Sequence, residues 1–392
     1  MKPKNLFLVG VLFLPAGARA VYAPIPEQEQ GKAFVVTVQS SAYYDSNIFG
    51  AATGAIDSMV YSIAPRLAFN ASADPQTFVS ASYQPRLDYF DNRPTEKWLL
   101  SHEAALRIAH AFTDITNVDL ADAFDVEKNP QSLLPGIVLN TDQSYTRNEF
   151  DGRLTTALGP KTGAVFKYRN IYYNYDDAGL GQSLDRIEHL LGAELNYKLV
   201  PETAVVGEYR YQAIDYRHRG SLKDKTSNFF LTGLDYSLGK QIMLSARVGA
   251  EDRRRSGESS TTAPYVEATC RYDYSVQSFV SAGYTYSLVE TDNPTLFTDS
   301  KMNQFFVNVQ HALSAAIVAS ASVTVAPAQL QGRPGVADSI HETTTRLGVA
   351  LTYVARRNLT LSATYDYDDV ASDRPERGQL RSRVGVNARL YF

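Results

Sequence analysis

Apolar and polar residues alternate along almost the whole chain, and most strictly at its end. Over 379–392, Leu380, Ser382, Val384, Val386, Ala388, Leu390 and Phe392 share one phase, and Gln379, Arg381, Arg383, Gly385, Asn387, Arg389 and Tyr391 share the other. Successive side chains of a strand point to opposite faces, so this segment has an apolar wall and a strongly polar wall. A soluble sandwich seldom sets three arginines on one face of its last strand. A strand standing between lipid and a wet interior requires the pattern. The same period marks eighteen segments in all, near 33–44, 57–71, 76–90, 97–110, 115–126, 143–157, 162–175, 186–199, 203–216, 226–238, 241–251, 263–274, 277–289, 301–313, 316–327, 342–354, 359–368 and 379–392.

The connections alternate in length. Tight turns such as Ala73-Asp74-Pro75, Gly159-Pro160-Lys161 and Gly239-Lys240 are followed by longer loops rich in Gly, Asp, Asn, Ser and Pro. Short periplasmic turns and long outer loops characterise outer-membrane barrels. An unpaired backbone N–H or C=O in hydrocarbon costs several kcal/mol, so the sheet has to close on itself. The pattern therefore predicts an all-β fold: a transmembrane antiparallel up-and-down β-barrel of about 18 strands (16–18). With an even count both ends of the barrel lie on the periplasmic side. No plug domain is expected, since only Tyr22 to Lys32 separates the leader from the first strand.

The N-terminus fits that destination. Lys2 and Lys4 precede an apolar run from Leu6 to Leu14, with small-residue cleavage sites ending at Ala20 or Ala23. This gives a signal peptide over 1–23, a periplasmic linker over 24–32 and the barrel over 33–392. Formal charge is −4, and losing Lys2, Lys4 and Arg19 takes 38 basic residues to 35 against 42 acidic ones, near −7. No basic stripe offsets that balance, which argues against nucleic acid. The single cysteine, Cys270, falls on a lipid-facing phase and reads as a small hydrophobe. The 25 tyrosines suit strands and membrane interfaces alike.

After the first strand comes Tyr43-Tyr44-Asp45-Ser46-Asn47-Ile48-Phe49. With the leader, the tyrosine-rich hairpins and the terminal Leu390-Tyr391-Phe392, this chain resembles the outer-membrane β-barrel porins of the "porin 2" type. In that family a Y-D-S-N-I/V-F segment follows the first strand, and Tyr44, Asp45, Ser46, Asn47, Ile48 and Phe49 match it. The resemblance implies a barrel porin placed in the outer membrane of a Gram-negative-type bacterium by the barrel-assembly machinery, for which the terminal aromatic is a signature. Some members accompany exopolysaccharide operons, which implies a link with polysaccharide export. Read without the family, Asp45-Ser46-Asn47 is a turn, since Asp and Asn bond nearby backbone; calcium binding is the alternative, although the spaced set of oxygens is missing.

Alternation puts sixteen basic and fifteen acidic side chains inside. Charge on the lipid face near the midplane costs about 2–4 kcal/mol per Arg or Lys, which supports this phase over its inverse. The pore-lining candidates are Tyr145, Arg147, Glu149, Asp151 and Arg153 on the sixth segment, Lys167, Arg169 and Tyr173 on the seventh, and Arg247, Arg271, Arg381, Arg383 and Arg389 further on. One reading pairs these charges across strands as a structural lining; the other separates them into ladders that select solutes. The last segment's arginines adjoin the uncharged inward face of the first (Thr37, Gln39, Ser41) and form a candidate track for anionic solutes or uronic-acid sugars. Tyr145 and Tyr173 are candidate sugar contacts. Arg253-Arg254-Arg255 reads as a solvated run, or as a contact for lipopolysaccharide phosphates. The loop from Glu127 to Asp142, with Leu133, Leu134, Ile137, Val138 and Leu139, is apolar enough to fold inward.

Six dispersed histidines, with no metal-ligand spacing, nucleophile motif or phosphate loop, give no support for an enzyme, and no cofactor is expected. Three functions remain: a channel for small hydrophilic solutes, anionic or saccharide; a conduit or accessory barrel for exopolysaccharide; and a non-conducting structural or adhesive barrel. The expected surroundings are outer-membrane lipid and lipopolysaccharide.

Overall fold

The computed structural model describes residues 33–128, 143–239 and 241–392. Eighteen strands form one antiparallel sheet. They are β1 (Phe34–Asp45), β2 (Ser58–Asp74), β3 (Thr77–Phe90), β4 (Trp98–Thr113), β5 (Thr116–Glu127) and β6 (Tyr145–Ala157). Then follow β7 (Thr162–Tyr175), β8 (Arg186–Val200), β9 (Thr203–Tyr216), β10 (Lys225–Leu238), β11 (Ile242–Arg255) and β12 (Thr261–Ser275). The last third comprises β13 (Ser278–Val289), β14 (Phe297–Ala312), β15 (Ile317–Gly332), β16 (Ile340–Arg356), β17 (Leu359–Ser372) and β18 (Gln379–Tyr391). Each strand pairs with its sequence neighbours, and β1 pairs with β18 from Thr37↔Tyr391 to Asp45↔Arg383, which closes the barrel. The Phe392 N–H extends that seam by donating to Val36 O at 2.9 Å.

The outer phase is apolar. Leu67, Phe166, Leu195, Phe230, Phe305, Val384 and Val386 are each between 45% and 61% exposed, while their inward neighbours are polar. Aromatic pairs punctuate this face. Tyr83 stacks on His102, Tyr168 on His189 and Tyr274 on His311, each Tyr hydroxyl within 2.9–3.0 Å of the ring nitrogen Nδ1. The rings thus satisfy one another beside lipid, as amphipathic side chains at an interface must. Cys270 is exposed on this same face.

Four strand ends outrun the alternation by four or five residues: β11 reaches Arg255, β14 starts at Phe297, β15 reaches Gly332 and β17 reaches Ser372. All lie at the long-loop rim. Above the hydrocarbon the outward phase no longer needs apolar side chains, and β11 carries Asp252 and Arg254 there. Nine connections join strands at this rim, L1 to L9 in order: 46–57, 91–97, 128–144, 176–185, 217–224, 256–260, 290–296, 333–339 and 373–378, with L3 described only at 128 and 143–144. L4 holds the short helix α1 (Ala178–Leu184), L5 the single turn α2 (Gly220–Lys223), and L9 a 3-10 turn (Pro375–Arg377). The leader, the linker and most of the apolar stretch at 127–142 lie outside the described residues.

Candidate functional site

The inward face is the functional surface of such a fold, and three groups of its charges stand out. On the wall from β5 to β12, acids and bases interleave. Arg147 pairs with Asp125 (3.5 Å) and with Glu149, and Arg169 with Asp151 (2.7 Å) and Glu149 (3.3 Å). Lys167 joins Glu194 (2.8 Å) and Glu208 (2.9 Å), and Glu208 also receives Arg210 at 2.8 Å. Arg247 pairs with Asp235 at 2.8 Å, and Arg271 with Asp273 at 2.7 Å while stacking on Phe279. Arg153 points inward without a carboxylate partner among the described residues. Some pairs run along one strand, as Arg147–Glu149, Glu208–Arg210 and Arg271–Asp273 do, and others cross strands, as Asp151–Arg169 and Lys167–Glu194 do, so most charge is neutralised locally rather than segregated into ladders.

Tyr145 and Tyr173 sit at the outer end of this wall, where Tyr173 is buried and closed to a solute and Tyr145 is half-buried. Tyr173 is 5% exposed, with the Arg186 guanidinium 4.4 Å over its ring, and Tyr145 meets Tyr173 and Tyr175 edge-on. They pack with Ile171, Leu180 and Leu184, so their part is to seat α1 against β7.

The second group is the closing seam. Here the expected arginine track beside neutral groups needs correction. Arg381 is bound to the fully buried Asp45, Nε to Oδ1 at 3.0 Å and NH2 to Oδ2 at 2.5 Å. Arg383 donates to Asp368 of β17 at 3.0 Å, and Arg389 binds a neutral group, Gln39 Oε1, at 2.6 Å. The alternation placed Asp45 in a loop, whereas it ends β1 and faces the lumen. The rest of the loop motif serves the same seam. Ser46 N donates to Ser382 O (3.0 Å), Ser382 N to Ser46 Oγ (2.8 Å), and Asn47 Nδ2 to Leu380 O (3.0 Å). Asn47 N also donates to Asp45 Oδ1, an Asx turn. Both Asp45 oxygens are thereby engaged, so its chemistry is a latch rather than a calcium ligand. Ile48 is buried with Val60, Phe90 and Leu99, Phe49 packs beside it, and Tyr44 points outward with its hydroxyl on Asp57. Below the latch a cavity of about 160 Å³ opens among Gln39, Ser41, Ser62, Gln84, Arg86 and Asn387.

The third group ties the outer mouth. Arg253 and Arg255, expected in solvent, are 1% and 4% exposed; only Arg254 points out. They alternate inward with Glu251 and reach Asp299 of β14. The spacing Glu251, Arg253, Arg255 at every second residue was the available signal that β11 continued. L7 then enters the lumen. Its Glu290 is held by Lys225, by the Tyr216 hydroxyl and by Arg255 at 3.3 Å. Burial alone raises a carboxyl, but these three cationic neighbours, Lys225, Arg255 and Arg253, keep Glu290 well below its ordinary value. Asp292 accepts from Arg377 of L9 at 2.6 and 2.9 Å, and Arg377 also binds Glu342. Burial raises the Asp292 carboxyl against the pull of Arg377. L7 is thus anchored on both sides. Arg333 of L8 completes the mouth by donating to Pro294 O of L7, Leu222 O of L5 and Glu258 of L6.

A closed, lipid-facing barrel with a polar, charge-compensated lumen defines an outer-membrane β-barrel of the porin type. Residues 298–392, from β14 through β18, match the family model described as "Putative beta-barrel porin 2", the family its loop motif and terminus resemble. No curated protein sequence matches the chain. Among solved structures, OpdK of Pseudomonas aeruginosa with vanillate is similar at 9% identity and TM-score 0.49, over 92% of this chain and 99% of that one. OccAB3 of Acinetobacter baumannii is similar at 8% identity and TM-score 0.48, over 92% and 99%. The FrpB iron transporter of Neisseria meningitidis is similar at 10% identity and TM-score 0.46, over 92% and 81%.

Proposed function

We propose that this protein is a passive channel for small hydrophilic solutes in the outer membrane of a Gram-negative cell. The observation that carries the reading is the lumen wall itself, where polar and charged side chains replace the hydrophobic filling of a closed core. Because Lys167, Arg169, Arg247, Arg381 and Arg383 each have a carboxylate partner, the channel discriminates weakly by charge. Anchored L7 narrows the outer mouth and sets the size limit. Arg254, exposed at the outer end of β11, is placed to meet a lipopolysaccharide phosphate.

Purified protein in planar bilayers tests this. Ohmic single-channel conductance, with a reversal potential near zero under a salt gradient, is the expected result. Absence of conductance at every voltage would favour a structural barrel, and a strongly anion-selective potential would restore the arginine track. A deletion strain that accumulates polymer in the periplasm would instead assign the barrel to polysaccharide export.

A further inference from the structure

Strands β13 to β15 carry a stretch of inward wall unlike the rest. Around Phe306 the inward positions are Ser281, Thr285, Gln304, Asn308, Ser322 and Thr324, with no acidic or basic side chain among them. On the β5–β12 wall, by contrast, nearly every strand bears ion-paired charge. Phe306 is the exception to its own surroundings: an aromatic on the polar phase, between lipid-facing Phe305 and Val307. Its ring lies flat on the neighbouring strand. A Cβ at Gly283, its register partner, would fall 2.3 Å from Cε1 and 2.5 Å from Cζ, so only glycine leaves room for the ring there. One face therefore rests on β13 backbone, and the side chain remains partly exposed. No described aromatic or cation stacks on it. At the periplasmic end of the lane, Gln310 is 4% exposed and donates Nε2 to Gln277 O, while its Oε1 has no partner among the described residues.

We infer that this lane, with Phe306 as its platform, binds neutral polyhydroxylated solutes, that is, saccharides. The inference rests on the channel reading above. A pyranose offers an apolar C–H face and a rim of hydroxyls that both donate and accept. A flat ring takes the first, and amides and hydroxyls, which likewise donate and accept, take the second. A wall without charge binds such a molecule without displacing counter-ions or leaving a charge desolvated. A purely structural Phe306 would cover the backbone gap at Gly283, as cross-strand aromatics do for glycine, and its replacement by leucine would then change barrel stability and not solute binding.

The test uses the whole barrel in planar bilayers with maltohexaose as the probe. Wild type is expected to show concentration-dependent interruptions of current. Phe306→Leu, which keeps the bulk and loses the flat face, should bind roughly five- to tenfold more weakly at unchanged conductance. Phe305→Leu, on the lipid side, should change nothing. Heat-modifiable migration on gels verifies that each variant folds. Maltohexaose binding that is absent in wild type or equal in Phe306→Leu overturns the inference, as does tighter block by an oligogalacturonate. Loss of conductance in wild type instead overturns the channel reading, and the two failures are distinguishable.

Discussion

The Arg381 guanidinium lies against the Asp45 carboxylate across the seam between the last strand and the first, 336 residues apart in sequence. This contact brings a buried charge from the first strand and one from the last to one point at the outer rim. Removing one partner of such a pair leaves the other charge uncompensated, at a cost of about 3–5 kcal/mol. Asp45→Ala should therefore lower the temperature at which the barrel unfolds on a heat-modifiability gel. The double variant Asp45→Ala with Arg381→Met should recover part of that loss. A single variant as stable as wild type would mean that the backbone seam, not the latch, closes the barrel.

The anchoring of L7 has a pH dependence with a definite sign. Glu290 sits well below its ordinary value because Lys225, Arg255 and Arg253 overcome its burial. A carboxyl lowered on folding contributes stability that is complete above its unfolded value and is lost as pH falls through the folded one. Hydrogen-exchange protection of the amides beside Glu290, corrected for the intrinsic pH dependence of exchange, should hold from neutral pH down to about 4 and fall only in stronger acid. Glu290→Gln should already lack that protection at neutral pH. Asp292, whose carboxyl burial raises, releases its own side of L7 first as pH falls; loss of protection around Glu290 in that same window would show that Glu290 is not an anchor.

All eighteen strands were legible as alternation because lipid imposes a rule on one face of each. The strand ends at Arg255, Phe297, Gly332 and Ser372 were missed where that rule stops. The direction of the inward residues was legible too, since the phase that puts Arg147, Lys167 and Arg381 inside also puts Leu195 and Phe305 in lipid. Partnership was not. Asp45 meets Arg381 diagonally, although its register partner is Arg383, and Arg253 reaches Asp299 past two intervening strands. Period two names a face but says nothing about which long side chain bends toward which neighbour. The covering of Tyr173 by Arg186 was hidden for the same reason.

Cys270 supplies a direct check on the phase of the barrel. It is exposed, and its register partners Leu244 and Ala282 share its outward face. In intact membranes a charged, water-soluble maleimide should leave it unlabelled, and should react once the barrel is unfolded in denaturant. Cys270→Arg should destabilise the assembled barrel by about 2–4 kcal/mol in denaturant titrations, the cost of a cation in hydrocarbon. Rapid labelling by the water-soluble reagent would place this position in the lumen and invert every assignment of β12.

Arg333 is the joint at which the outer mouth is most open to genetic release. One guanidinium donates to Pro294 O at 3.0 Å and Leu222 O at 3.0 Å and pairs with Glu258, so a single side chain links L8 to L7, L5 and L6. The two carbonyls have no reason to stay close once that donor is gone, whereas the strands beneath are held by their own ladders. Arg333→Ala should therefore leave heat-modifiability unchanged and raise current noise in single-channel traces. It should also admit larger polyethylene glycols in liposome swelling. Arg333→Lys, with one ammonium in place of a planar fork, should fall between the two. Noise and size limit identical to wild type in the alanine variant would mean that Glu290 and Asp292 alone hold the mouth.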